Sequence, residues 1–130
     1  MATQRDIRRL RSLKTGKGRR EWGQYAAEGV RLLEESRRYK VDPEALYFDP
    51  GALSERGRQL VDELEARGVP CEELASHQLE GAADTKTPQG LIAVFRHPEI
   101  PLNSLSACQR LLIGDGISDP GNVGTLIRSA

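Results

Sequence analysis

Leu111-Leu112-Ile113-Gly114-Asp115-Gly116-Ile117-Ser118-Asp119-Pro120-Gly121-Asn122-Val123-Gly124-Thr125-Leu126-Ile127-Arg128-Ser129-Ala130 are the last residues of this 130-residue chain. An apolar, strand-like triplet, Leu111 to Ile113, leads into a glycine-rich turn and then a helix start. Asp119 before Pro120 opens a helix well, because the carboxylate can accept a first-turn N–H and Pro has no N–H to leave unpaired. Val123, Leu126, Ile127 and Ala130 then fall at i, i+3, i+4 and i+7, one apolar face at helical period. Asn122, Thr125, Arg128 and Ser129 take the other side. A helix that buries the first set presents an amide, hydroxyls and a guanidinium above the carboxyl end of the strand, where open parallel sheets hold their ligands. Glycines at 114, 116, 121 and 124 let backbone approach a partner closely. Spacing alone leaves a second reading equally open: a buried strand, a turn, and a surface helix whose Arg128 is only solvated.

Upstream, strand and helix patterns alternate. A basic helix is expected over 4–14, followed by a flexible connection from Gly16 to Gly18. A short strand at 24–27 precedes a helix at 28–39, in which Glu34 and Arg38 have the favourable i, i+4 spacing. Ala45-Leu46-Tyr47-Phe48 reads as a strand ending in the Asp49-Pro50-Gly51 turn. A helix at 54–67 places Leu53, Gly57, Leu60, Val61 and Leu64 on one face, with Gly68 ending it. A strand at 69–73, a short helix at 76–82 and an apolar strand at 91–95 complete the unit. Such alternation implies an α/β fold with a largely parallel, sandwiched sheet. The prolines and polar residues after His97 mark a linker over 99–106, dividing a domain at 1–98 from a segment at 107–130. Twenty-four residues cannot enclose a core, since chains below about 40 residues usually need metals, disulfides or partners. That segment is therefore expected to pack on the first domain, pair with another chain, or be disordered.

The formal net charge of zero conceals an asymmetry. Residues 1–40 hold 12 Lys or Arg against 5 acids, and residues 41–130 hold 7 against 14. At the front, Arg5, Arg8, Arg9, Arg11, Lys14, Lys17, Arg19 and Arg20 face only Asp6. A concentrated cationic segment suits a phosphate backbone, because each displaced counterion adds salt-dependent, sequence-independent affinity. The competing reading is a solvated basic helix face anchored by Ile7, Leu10 and Leu13; the asymmetry favours RNA contact. Trp22 and Tyr25 follow directly and are assigned to the core, with stacking on unpaired bases as the alternative. In Lys86-Thr87-Pro88-Gln89-Gly90 the Pro and Gly suit a turn, while Lys86, Thr87 and Gln89 are available to phosphate or ribose.

Other classes fall away. A mean hydropathy of −0.52 and the absence of any run near the ~18 apolar residues of a membrane span argue against a membrane protein. The N-terminus lacks the pattern of a secretion signal. Cys71 and Cys108 are isolated and read as reduced thiols; no metal-spaced ligand set is found, and His77 and His97 receive no role. The glycine-rich tail has neither the Gly-Lys-Ser/Thr ending of a phosphate loop nor dinucleotide spacing.

Asp119-Pro120-x-Asn122-x-Gly124, three apolar or small residues, then Arg128-Ser129-Ala130, resembles without a gap the first motif of the SpoU-type RNA ribose methyltransferases of the SPOUT class. Two further segments resemble the same family. Arg19-Arg20-Glu21 with Tyr25-Ala26-Ala27-Glu28-Gly29-Val30-Arg31 is similar to its opening signature, and Lys86 to Val94 to the segment closing its substrate-binding domain. The resemblance implies a three-layer α/β/α ribosomal-protein-like RNA-binding domain, followed by the first strand and helix of a knotted SPOUT methyltransferase domain. It further implies methyl transfer from S-adenosylmethionine to a ribose 2′-hydroxyl of tRNA or rRNA, by a cytoplasmic homodimer without membrane contact. Arg128 would then contact the reacting ribose and Asn122 order the same site, with arginine acting by orientation and electrostatics because its pKa makes it a poor base. The family's two later motifs, which build the S-adenosylmethionine site, have no counterpart in these residues. The expectation is therefore a truncated chain that binds no S-adenosylmethionine and is inactive alone; the alternative is a stand-alone RNA-binding module without catalysis.

Overall fold

Ala45-Leu46-Tyr47-Phe48 and Leu91-Ile92-Ala93-Val94-Phe95 are apolar at every position, the pattern of strands covered on both faces. The computed structural model, which describes residues 2–83 and 89–130, bears this out. In the unit that ends at His97 the order is α1 (Gln4–Ser12), α2 (Gly16–Trp22), β1 (Gln24–Glu28), α3 (Val30–Arg38), β2 (Ala45–Phe48), α4 (Glu55–Ala66), β3 (Cys71–Glu73), α5 (Ser76–Ala82) and β4 (Leu91–Arg96). Successive side chains along β2 and β4 enter opposite cores. Leu46, Phe48, Leu91, Ala93 and Phe95 meet Val30, Leu33, Leu60, Val61 and Leu64 of α3 and α4. Ala45, Tyr47, Ile92 and Val94 meet Ile7, Leu10, Leu79 and Ala82 of α1 and α5. Each fully buried Leu, Ile or Val contributes about 1.5–3 kcal/mol, so one register slip would exchange two cores at once.

The sheet order is β1-β4-β2-β3. Only β2 and β3 are parallel, joined through α4 as a strand–helix–strand unit; β4 runs antiparallel to both β1 and β2. This corrects the expectation of a largely parallel sheet. The apolar run at 91–95 says that a strand is buried but carries no direction, and the last strand inserts between two earlier ones.

Two local expectations also change. The connection at Gly16 to Gly18 is the first turn of α2, capped by Thr15, whose hydroxyl accepts the Gly18 N–H at 3.0 Å. Gly18 is there for close approach, since a Cβ on it would lie 2.0 Å from the Ser12 carbonyl oxygen. Glu34 does not pair with Arg38 but takes Arg56 of α4 in a two-pronged contact, while Arg37 takes Glu63 at 2.6 Å; Arg38 lies 3.9 Å from Glu35. Partners on a packed helix displace the i, i+4 pairing. The helices at 55–66 and 76–82 form as expected, and Gly68 follows α4 in the left-handed region. Asp49 closes its turn by accepting the Gly51 N–H and the Ser76 hydroxyl.

The unit that begins at Pro98 contains a 3-10 turn, Leu102–Ala107, within the expected linker, and helix α6 (Pro120–Ser129). Leu111, Leu112 and Ile113 are not a strand here but irregular and exposed. A strand needs a ladder partner for its backbone groups, and among the described residues of this unit there is none. Helix α6 starts as read: Asp119 accepts the Asn122 N–H at 2.8 Å, with Pro120 in the first turn. No helix among the described residues is long and apolar enough to cross a membrane. No group of three or more His, Cys, Asp or Glu among them can hold a metal ion. Burial pushes the Cys71 thiol up to about 11.

Gly18→Ala is expected to cost about 1–3 kcal/mol in urea unfolding by forcing α2 off α1. Lys17→Ala, one residue away and exposed, should stay within about 0.5 kcal/mol.

Candidate nucleic-acid interface

Helix α1 begins with a capping box: Thr3 Oγ1 accepts the Asp6 N–H at 3.2 Å and Asp6 accepts the Thr3 N–H at 3.0 Å. Ile7, Leu10 and Leu13 are buried on its inner side, so Arg5 and Arg8 stand exposed on the outer one, while Arg11 is exposed at the flank with its guanidinium beside Gly81 of α5. The remaining cations divide by what they touch. Arg9 turns inward, its Nη2 donating to the Tyr47 hydroxyl at 2.6 Å and lying 3.5 Å from Asp6. Burial holds the Tyr47 phenol above its ordinary pKa, so it stays neutral and able to accept. Lys14 Nζ donates to the Ala83 carbonyl at 2.8 Å, joining α1 to the end of α5. Arg19 Nη1 donates to the Leu13 and Lys14 carbonyls at 3.0 and 3.1 Å, closing the end of α1. Lys17 and Arg20 on α2 are exposed. The candidate ridge is thus Arg5, Arg8, Arg11, Lys17 and Arg20, with Arg9, Lys14 and Arg19 holding the helices that display it.

Two other expected contacts resolve differently. Gln89 Oε1 accepts the Val30 N–H at 3.0 Å and so caps α3, whose own N-cap residue, Gly29, has no side chain to do it. Lys86 and Thr87 lie outside the described residues. Gln89 also lines a cleft of about 410 Å³ where α3 and α4 begin, with Arg31 and Arg56 on its wall. Trp22, assigned to the core from sequence, ends α2 with 37% of its surface exposed, because a helix rather than a strand runs through it. Tyr25 is core: its ring stacks on Phe95 with centroids 5.5 Å apart and meets His97 edge-on at 6.3 Å. The Gln24–Glu44–Arg96 contact has no signal in the sequence, its residues being 20 and 52 positions apart; Gln24 first and Arg96 second hold the Glu44 carboxyl below its usual range.

In the second unit Asn122 and Arg128 are both exposed on α6. Arg128 Nη2 donates to Thr125 Oγ1 at 3.2 Å, one turn back, and its guanidinium lies across Gly124, where a side chain would meet it at 3.2 Å. At about 100° per residue, Arg128 stands about 120° round the helix from Asn122. The two flank one polar side of the helix and do not share a single line along it. Val123, Leu126 and Ile127 meet Leu112 and Ile117 around a cavity of about 450 Å³, so the predicted apolar face does gather aliphatic neighbours within this unit.

Asp6 sets one pH dependence. The Thr3 hydroxyl, opposed in part by burial and helped by Arg9 and Arg5, holds its carboxyl below 3.8. The unfolded chain therefore binds this proton more readily, and the contribution is present above pH 3.8 and lost as pH falls through the lower folded value. Melting temperature followed from pH 6 to 2 should fall less steeply for Asp6→Asn than for the wild type.

Residues 4–93 match the family model of the MRM3-like substrate binding domain. The chain is 29% identical over 133 residues to the 23S rRNA (guanosine(2553)-2′-O)-methyltransferase RlmP of Bacillus subtilis, covering 99% of this chain and 48% of that protein. It is 31% identical over 118 residues to the mitochondrial rRNA methyltransferase 3 of Homo sapiens, covering 86% and 27%. Among solved structures, the SpoU methyltransferase AviRb of Streptomyces viridochromogenes, in complex with the cofactor AdoMet, superposes with a TM-score of 0.68 over 98% of this chain and 47% of that one. At 21% identity this likeness shows the fold alone. The chain spans about half, or less, of the length of the curated relatives it matches.

Proposed function

We propose that this chain, which belongs to the family of MRM3-like substrate binding domains, is the RNA-binding front of a ribose 2′-O-methyltransferase acting on rRNA or tRNA. The observation that carries the reading is the basic ridge on α1 and α2, displayed by the very segment that the family model covers. In this reading the first unit is a three-layer α/β/α domain and the second is the start of a knotted SPOUT domain. The whole protein would be a cytoplasmic homodimer using S-adenosylmethionine.

Arg5, Arg8, Arg11, Lys17 and Arg20 replace counterions along the RNA backbone and set register without reading sequence. On α6, Arg128 and Asn122 approach the ribose whose 2′-hydroxyl reacts. A hydroxyl that attacks a methyl group loses its proton as the bond forms, and a guanidinium held by Thr125 stabilises the developing oxyanion without serving as the base. S-adenosylmethionine would supply the methyl group. The cavity against α6 does not fit it: its walls are aliphatic and glycyl, with no charged side chain for the amino-acid end of the donor. The residues lining this cavity therefore do not hold the donor.

RNA affinity measured by fluorescence anisotropy between 50 and 200 mM salt should fall with salt. Changing Arg5, Arg8 and Arg11 together to Ala should reduce the slope of log K against log salt by about 2, at about 0.7 per phosphate contact. An unchanged slope removes the ridge from the interface. In a protein of the relatives' length, Arg128→Ala should lower methyl transfer about 100-fold or more with RNA affinity nearly unchanged. Equal loss of both would make Arg128 a binding residue only.

A further inference from the structure

We infer that Trp22 is a stacking platform for an unpaired base of the bound RNA, set beside the phosphate-binding ridge. The inference rests on the RNA-binding reading above and adds to it a class of substrate, a strand with at least one base out of pairing. Gly18 lies against Ser12, and Trp22 follows one turn later on the same side of α2, so its ring arrives over α1. There the Arg9 guanidinium carbon sits 5.9 Å from the ring centroid. That cation is fixed from two directions, by the Tyr47 hydroxyl at 2.6 Å and by Asp6 at 3.5 Å. The indole is therefore backed by a positive charge that is itself braced against the sheet.

This arrangement suits a base. A flat ring with one side supported and over a third of its surface open offers a stacking face already ordered before the ligand arrives, which lowers the entropy cost of binding. Exposed cations stand on the same two helices, Arg5 and Arg8 on α1 and, about half a turn round α2 from Trp22, Lys17 and Arg20, and they are complementary to the phosphates of a strand that crosses both. Cation–π contact with Arg9 accounts for where the ring sits. It does not account for the exposed remainder of the largest apolar side chain in the unit, which a base would cover. Every base has a π face, so the platform tolerates sequence but excludes a closed duplex, whose bases are already stacked on one another.

Trp22 is the single tryptophan of the chain, so intrinsic fluorescence reports this ring alone. The 130-residue chain is titrated with a single-stranded RNA of about 12 nucleotides and, separately, with a blunt RNA duplex of the same length, following emission and, in parallel, calorimetric binding. The single strand should quench emission at saturation and the duplex should bind without quenching. Trp22→Leu should weaken single-strand binding about tenfold or more, Trp22→Phe should retain most of the affinity, and both should keep the wild-type salt slope. Calorimetric binding of the single strand without quenching, or equal affinity for Trp22→Leu, overturns the platform and leaves the RNA-binding reading intact. Failure of both RNAs to bind overturns both readings. Quenching is read on the wild-type chain, so the test stands even where a variant does not fold.

Discussion

Strand β4 hydrogen-bonds to β1 on one side and to β2 on the other, and five of its six residues are buried. Without it the sheet falls into an isolated β1 and a two-stranded β2–β3 pair, neither of which covers a core. Its alternation divides the interior into two clusters, one under α3 and α4, the other under α1 and α5. The ladder is extended at both ends of β2 by backbone bonds from Glu44 to Val94 and from Asp49 to Gly90. Helix placement, and with it the placement of every exposed cation on α1, depends on this one strand arriving between two earlier ones.

The basic segment shows how a fold divides a charge run into supporting and presenting parts. A cation half-buried against a tyrosine or lying on a helix-terminal carbonyl is held by geometry, while one on the outer helix face keeps its hydration and its availability. Arg9 belongs to the first kind because position 9 lies one turn before the buried Leu13, at the edge of the apolar face, and the sheet below offers the Tyr47 hydroxyl. Arg8, one residue away, points outward. The same logic applies to Gln89, which reaches across 59 residues to cap α3. Its amide is part of the frame that brings Arg31 and Arg56 to one cleft.

The second unit holds a 3-10 turn and a helix with a polar side, a capped start and an aliphatic underside, preceded by an exposed apolar triplet. Its Asp119 cap and Val123–Leu126–Ile127 face follow from local rules, since each is satisfied within a few residues. The expected strand at Leu111 to Ile113 is the part that needs a neighbour, and a backbone ladder is by nature a property of two segments.

Element type was readable wherever period and punctuation agreed: the apolar runs at 45–48 and 91–95 and the face from Leu53 to Leu64 in the first unit, and the Asp119-Pro120 start in the second. The family, too, was written in short motifs. Readings went astray where one residue type serves two purposes. Gly16 to Gly18 read as flexible, yet Gly18 is small so that two helices can touch; Trp22 read as buried, yet it stands at an open helix end. By itself the sequence determined, apart from α2 and the triplet Leu111 to Ile113, which segments are helices and strands and which faces are apolar, because these follow from periods of 3.6 and 2 along the chain. Strand direction, the partners of Glu34, Arg9 and Gln89, and the five cations left on the outer surface were decided only by the tertiary structure, because each depends on a group distant in sequence that packing alone brings within reach.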